Sequence, residues 1–213
     1  MRARFLAAVA AMVAVVAASN FLVQFPVAAI VGGVNLADIL TWGAFTYPVA
    51  FLVTDLSNRH FGAAGARLVV LCGFLVAVVL SIWLASPRIA IASGTAFLVA
   101  QFLDIAIFDR LRARPWWQAP LVSSLFSSAL DTLLFFGLAF APALAGLDAF
   151  FGRADSSLGF GAPLLGIGTE VPLWFSLGVG DFGVKLVLAA LCLAPYGALR
   201  RVIADRVLQP SRV

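Results

Sequence analysis

Apolar residues run along this chain in six long stretches, at about 4–24, 40–58, 66–86, 89–109, 119–143 and 172–199. A bilayer core of about 30 Å takes about 20 apolar residues in helical form, because backbone N–H and C=O groups find no water there. The pattern predicts an all-α integral membrane protein of six transmembrane helices, a single domain over residues 1–213. Most connections are short; residues 25–39 and 144–171 are longer and rich in Gly, Pro and small residues.

Composition strengthens this reading. The hydrophobic class makes up 63% of the 213 residues and charged residues only 11%, with a mean hydropathy of +1.07. A soluble domain is roughly half apolar and a quarter charged, so 14 basic and 10 acidic side chains cannot cover a globule this apolar. The charges also orient the bundle, since short cytoplasmic loops collect Lys and Arg. With the N-terminus inside, Arg2, Arg4, Arg59, Arg67, Arg110, Arg112, Arg114, Arg200, Arg201, Arg206 and Arg212 fall on the cytoplasmic side, and only Arg88 and Arg153 on the other. Both termini are then expected in the cytoplasm. The pI near 9.8 follows from this topology; the basic residues do not gather on one face with interleaved aromatics, so no direct nucleic-acid partner is expected.

One other reading of the start is open. "MRARFLAAVAAMVAVVAAS" has the basic, apolar and small-residue regions of a secretory signal, and cleavage after Ala18 would leave five spans. Against this, apolar residues continue through "NFLVQFPVAAI". Cys72 and Cys192 sit apart in apolar runs and read as packing residues, and His60 is the only histidine, so neither a metal site nor a cofactor is indicated.

Ionisable groups within transmembrane helices cost about 2.5–3.5 kcal/mol on translocon scales, so each needs a reason. They are Asp55 in the second span, Asp104 with the amide Gln101 in the fourth, Asp131 in the fifth, and Asp181 with Lys185 in the sixth. Helical spacing aligns them in stripes: Phe51, Asp55 and Asn58; Phe97, Gln101, Asp104 and Phe108; Ser124, Ser128, Asp131 and Phe135; and Asp181 under Lys185. Such stripes must face one another or an aqueous cavity. A rise of about 1.5 Å per residue puts Asp131 and Lys185 both near mid-membrane, where they could meet. Pro48 is expected to kink the second span about two turns before Asp55.

Structural readings stand beside functional ones. Asp55 could pair with Arg59 at i,i+4, Asp104 with Arg110, and Asp181 with Lys185 purely for packing; Asp131 and its serines could clamp helices together. Trp42, Trp116 and Trp117 suit interfacial anchors. Taken together, several titratable or amide positions in one six-helix bundle point to transport or binding of a polar solute.

The segments "SNFLVQFP", "TWGAFTYPVAFLVTDLSNRHFGAAGAR", "RIAIASGTAFLVAQFLDIAIFDRLR", "WWQAPLVSSLFSSALDT" and "DFGVKLVLAALCLAPYG" resemble the queuosine precursor transporter family, also called the vitamin uptake transporter family. The resemblance runs from about Ser19 to Leu199 and is weakest over 31–40 and 144–171, where an extracytoplasmic lid or gate would lie. It implies an inner-membrane importer of the 7-deazaguanines preQ0 and preQ1, which feed queuosine synthesis for tRNA. Such a base offers two adjacent donors that a carboxylate accepts, and a carbonyl that needs a donor. Asp104 or Asp131 could supply the first and Gln101 or Lys185 the second, with Phe97, Phe108 or Phe135 as a stacking face. Asp181 is available for the aminomethyl cation of preQ1, and Asp55 and Asn58 for a cytoplasmic gate or proton-linked site. With no nucleotide-binding motif, uptake is expected to be facilitated or driven by an ion gradient. The alternative is a substrate-binding subunit energised by a separate ATPase module. An intramembrane enzyme lacks the histidine or ligand cluster it would need. A homodimer is compatible with so small a bundle.

Overall fold

A computed structural model describes residues 2–207, so Arg212, assigned above to the cytoplasmic side, lies outside the described residues. The chain is mostly helical. Long helices are α1 (Arg2–Leu22), α3 (Val49–Leu84), α4 (Pro87–Leu111), α5 (Gln118–Phe140) and α7 (Leu173–Val207), with short helices α2 (Gly43–Thr46) and α6 (Gly146–Phe150) in the connections. Among the described residues, five helical segments are long and apolar enough to cross a membrane.

The difference from six lies in one glycine. The expected spans at 40–58 and 66–86 are joined in α3, a run of 36 residues that would be about 54 Å long if straight, nearly twice a bilayer core. It is not continuous: Gly62 sits at φ 77° and ψ 175°, outside helical geometry and in a region that only glycine enters without strain. Contacts with α1 locate the two halves. Ser19 donates to Thr46 at 3.0 Å, the Phe5 and Phe61 rings lie 5.5 Å apart, and Met12 packs against Gly73, where an added Cβ would fall 2.5 Å from the Met12 Cγ. Residues 46, 61 and 73 thus meet α1 at its far end, its start and its middle.

Local chemistry sets the other boundaries. Pro48 falls between α2 and α3, and the backbone there stays near helical geometry, so the proline interrupts the ladder without a wide turn. At the start of α4, the Ser86 hydroxyl accepts from the Ile89 amide at 3.3 Å and Pro87 fills the first helical position, where its missing N–H costs nothing. In α7, Pro195 lies inside the helix.

The long connections hold two hairpins. Strands β1 (Ile30–Val31) and β2 (Val34–Asn35) pair antiparallel around Gly32 and Gly33, both with positive φ, the geometry of a tight hairpin turn. Strands β3 (Gly161–Pro163) and β4 (Glu170–Pro172) pair in the same sense. The connections meet over the first turns of α7: Val34 lies beside Gly166, and Gly180 faces both Leu165 and the backbone of Ile39. The apolar core lies where α1, α3 and α4 join, around Met12, Val16, Ala50, Val69, Val70 and Phe97. The polar side chains collect on the other side of α3 and α4, toward α5 and α7.

Candidate functional site

The polar stripes converge in two clusters. The first is built by α5 and α7 with the residue just before Pro48. Lys185 donates to Asp131 at 2.6 Å, to Asp181 at 2.5 Å and to the Thr132 hydroxyl at 3.0 Å, which uses all three ammonium protons. Tyr47 donates its hydroxyl to the other Asp131 oxygen at 3.1 Å, and Thr132 donates to Asp181 at 2.8 Å. The ammonium also lies 5.6 Å from the centre of the Tyr47 ring. Both Lys185 and Asp131 are buried. With two carboxylates around one cation, the cluster carries a formal charge of −1 and draws helices α5 and α7 together.

The second cluster lies between α3, α4 and α5. Thr54 donates to the Gln101 side-chain carbonyl at 2.5 Å, while the Gln101 amide nitrogen is buried without a partner. Ser123 donates to Asp55 at a long 3.4 Å. Asp104 is fully buried, and neither of its oxygens has a hydrogen-bond donor among the described residues. The Thr54–Gln101 bond and the bond from Asn58 to the Ile105 carbonyl set α3 against α4 on either side of this level, which brings Asp104 opposite Asp55. Asp55 and Asp104 therefore lie opposite each other with no cation within 4 Å among the described residues, and the ion pairs that sequence spacing allowed with Arg59 and Arg110 are not formed.

Arg59 is occupied elsewhere. It donates to the Tyr196 hydroxyl at 3.1 Å and to the Arg112 carbonyl at 3.0 Å, with its guanidinium 5.2 Å from the Phe108 ring centre. Asn58 donates to the Ile105 carbonyl at 3.1 Å, and both its side-chain and backbone oxygens accept from Arg112. This set closes the end of the bundle where α3, α4 and α7 meet.

A narrow gap of about 10 Å³, room for about one water, lies between the clusters. Asp55 and Tyr196 line it toward one end and Lys185 toward the other, with Ser124 and Ser128 between them and Phe51, Pro48 and Pro120 on its walls. Ser128 is buried with its hydroxyl unpartnered. Phe97 packs in the apolar core, edge-on to Tyr47 at 6.1 Å. Phe135 meets Phe136 and Phe140 edge-on.

Several residues of these clusters escaped sequence reasoning. Tyr47 extends the Phe51–Asp55 stripe by one turn, which spacing alone could have revealed. Thr54, Ser123, Thr132 and Tyr196 gave no such signal, because small hydroxyls and single tyrosines are common in membrane helices. Arg88 was read only as an orientation charge. It is fully buried, donating to Asp148 at 2.8 Å, to Ser157 at 3.0 Å and to the carbonyls of Leu138 and Ala141 at 2.9 and 2.6 Å. Asp148 also accepts from the Ser156 amide and hydroxyl at 3.0 and 2.9 Å. The amide bond from Ser156, and then Arg88, hold the Asp148 carboxyl below the usual carboxylate range. This clamp fastens the 144–171 connection to α4 and α5.

Comparison with known proteins places the chain in a family. Residues 41–199 match the family described as "Putative vitamin uptake transporter". The "Queuosine precursor transporter" of Escherichia coli (strain K12) is 31% identical over 223 aligned positions, covering 93% of this chain and 87% of that protein. The "Probable queuosine precursor transporter" of Haemophilus influenzae (strain ATCC 51907 / DSM 11121 / KW20 / Rd) is 31% identical, covering 91% of this chain and 85% of its own length. No solved structure matches. The matched region contains both clusters and the cavity between them, and the chain belongs to the vitamin uptake transporter family.

Proposed function

We propose that this protein imports queuosine precursors, the 7-deazaguanines preQ0 and preQ1, across the inner membrane. The observation that carries this reading is the 31% identity to the Escherichia coli queuosine precursor transporter over 93% of the chain. The substrate is moved without chemical change. The base enters the cavity between α3, α5 and α7, which opens to admit it. Asp104, whose two oxygens lack donors, and the unpartnered amide nitrogen of Gln101 take the donor edge and the carbonyl of the base, as Asp131 and Lys185 do from the other cluster. Asp181 serves the aminomethyl cation of preQ1, and Phe97 backs the site behind Tyr47. Asp55 and Asn58 act at the inner gate, where Asn58 is already held by Arg112.

The topology that goes with this function has six crossings in a single transmembrane domain and both termini in the cytoplasm. The break at Gly62 supports it, because residues 46, 61 and 73 meet successive levels of α1 in the order far, near and middle. That order is what a chain reversing at Gly62 produces. A homodimer is part of the same reading: Val187 and Leu191 leave an apolar strip of α7 exposed, available to lipid or to a second copy.

Uptake of labelled preQ1 is the test, in cells that cannot synthesise queuosine precursors. The gene restores uptake and queuosine in tRNA; Asp131→Asn and Asp104→Asn proteins that reach the membrane lose most of that uptake. Wild-type rates in both variants would overturn the site assignment, and no uptake by the unaltered protein would overturn the function.

A further inference from the structure

The buried acid pair is the least explained feature of the molecule. Asp55 is 2% exposed and Asp104 fully buried, and the Thr54–Gln101 and Asn58–Ile105 bonds set α3 against α4 so that the two acids lie at the same level on facing helices. The groups that face the pair from each neighbouring element are few. On α3, Arg59 is turned to Tyr196 and the Arg112 carbonyl. On α4, the nearest polar group is Gln101, one turn away, with an unpartnered amide nitrogen. From α5 comes only the long bond from Ser123. From α7, the Tyr196 hydroxyl accepts from Arg59 and makes no bond to either acid, and Lys185 is bound to Asp131 and Asp181.

A carboxyl retained only for packing would be expected to find an arginine or backbone amides, as Asp148 does. Two carboxylates held opposite each other in a low-dielectric interior without a cation cannot both stay ionised; a proton between them turns repulsion into a hydrogen bond. Resting on the transport reading above, we infer that Asp55 and Asp104 share one proton and form the site where a proton is bound and released as substrate crosses. The geometry supplies both route and consequence. Asp55 lies on the wall of the gap, which runs past Ser124 and Ser128 to Lys185, so water that enters as the gap opens for the base reaches the pair at Asp55. The proton comes from water on the outer side, adds to one carboxylate oxygen, and leaves to water on the inner side. While it is bound, α3 and α4 are held together across the pair. Once it leaves, adjacent like charges push these helices apart, which ties proton release to opening of the cavity toward the cytoplasm.

Two measurements on the purified full chain test this. The first needs no substrate: infrared spectra at neutral pH show the carbonyl band of a protonated carboxylic acid, which disappears in the Asp55→Asn/Asp104→Asn double variant. Absence of the band from wild-type protein overturns the proposal whatever the protein transports. The second uses proteoliposomes with an internal pH dye and preQ0, which carries no charge of its own. An inward gradient of one pH unit raises accumulation by up to about tenfold for one proton per base, and the dye reports acidification. In Asp55→Asn the ratio of accumulation with and without the gradient falls to one, whatever the absolute rate, and Asp55→Glu restores part of it. Wild-type accumulation that ignores the proton gradient, or follows a sodium gradient instead, refutes the assignment while base counterflow without any gradient keeps the transport reading intact. Loss of counterflow in wild type refutes the transport reading and with it the proton's coupling role.

Discussion

Replacing Lys185 by Met is predicted to be the most damaging single change in the polar interior. Met keeps the length and apolar stem of the lysine but removes the ammonium that Asp131, Asp181 and Thr132 share at 2.6, 2.5 and 3.0 Å. Each close ionic contact is worth roughly 6 kcal/mol at an effective dielectric constant of about 20, much of it offset by the cost of taking the ions out of water. What matters in the variant is what remains: two neighbouring carboxylates, with only the Tyr47 and Thr132 hydroxyls as donors. Breaking a buried pair by removing one partner costs about 3–5 kcal/mol. For a chain of this size a kilocalorie shifts the melting temperature by about 2–4 °C, so Lys185→Met should melt about 6–20 °C lower. Asp131→Asn leaves Lys185 its bond to Asp181 and loses about 1–3 kcal/mol. Thermal unfolding of detergent-solubilised protein, followed by size-exclusion chromatography, measures both. A Lys185→Met protein melting within about 2 °C of wild type, or less destabilised than Asp131→Asn, would mean that the cluster is already hydrated or neutralised, contrary to the reasoning.

Four other outcomes follow from the geometry. Gly62→Ala should cost about 1–3 kcal/mol, read as a lower melting temperature, because a side chain at φ 77° is strained even though nothing lies within 4 Å of the added Cβ. Arg88→Gln should leave the helical bundle intact but free the 144–171 connection, read as faster protease cleavage between Gly152 and Gly168. The Asp148 carboxyl sits below its ordinary range, so the clamp's stabilisation is fully present above the unfolded carboxylate pKa of about 3.9 and is lost as pH falls through the lower folded value; the same protease assay should show wild-type protection unchanged from neutral pH down to about 5. Arg59→Ala removes contacts to Tyr196 and to the Arg112 carbonyl but no ion pair, so uptake should become leaky at the inner end, whereas Asp55→Asn should alter its response to pH.

The hydropathy pattern alone settled the solvent of this protein, the approximate extent of its long helices and the candidate polar positions, because the cost of exposing a backbone or a charge to lipid acts on each residue locally. Helical spacing added the stripes, and the resemblance in segments such as "TYPVAFLVTDLSNRHFG" pointed to the family that whole-chain comparison then established. Partnership was not written there. Asp55 and Arg59 stand four residues apart in sequence yet make no ion pair, because Arg59 reaches Tyr196 from 137 positions away and Asp55 lies opposite Asp104 on another helix. Arg88, which sequence could treat only as a surface charge, is fully buried because the outer connection folds back to bring Asp148 to it across 60 residues. Which buried charge finds a counter-ion and which is left with another acid depends on the packing of helices distant in sequence, and that is what the tertiary structure decided.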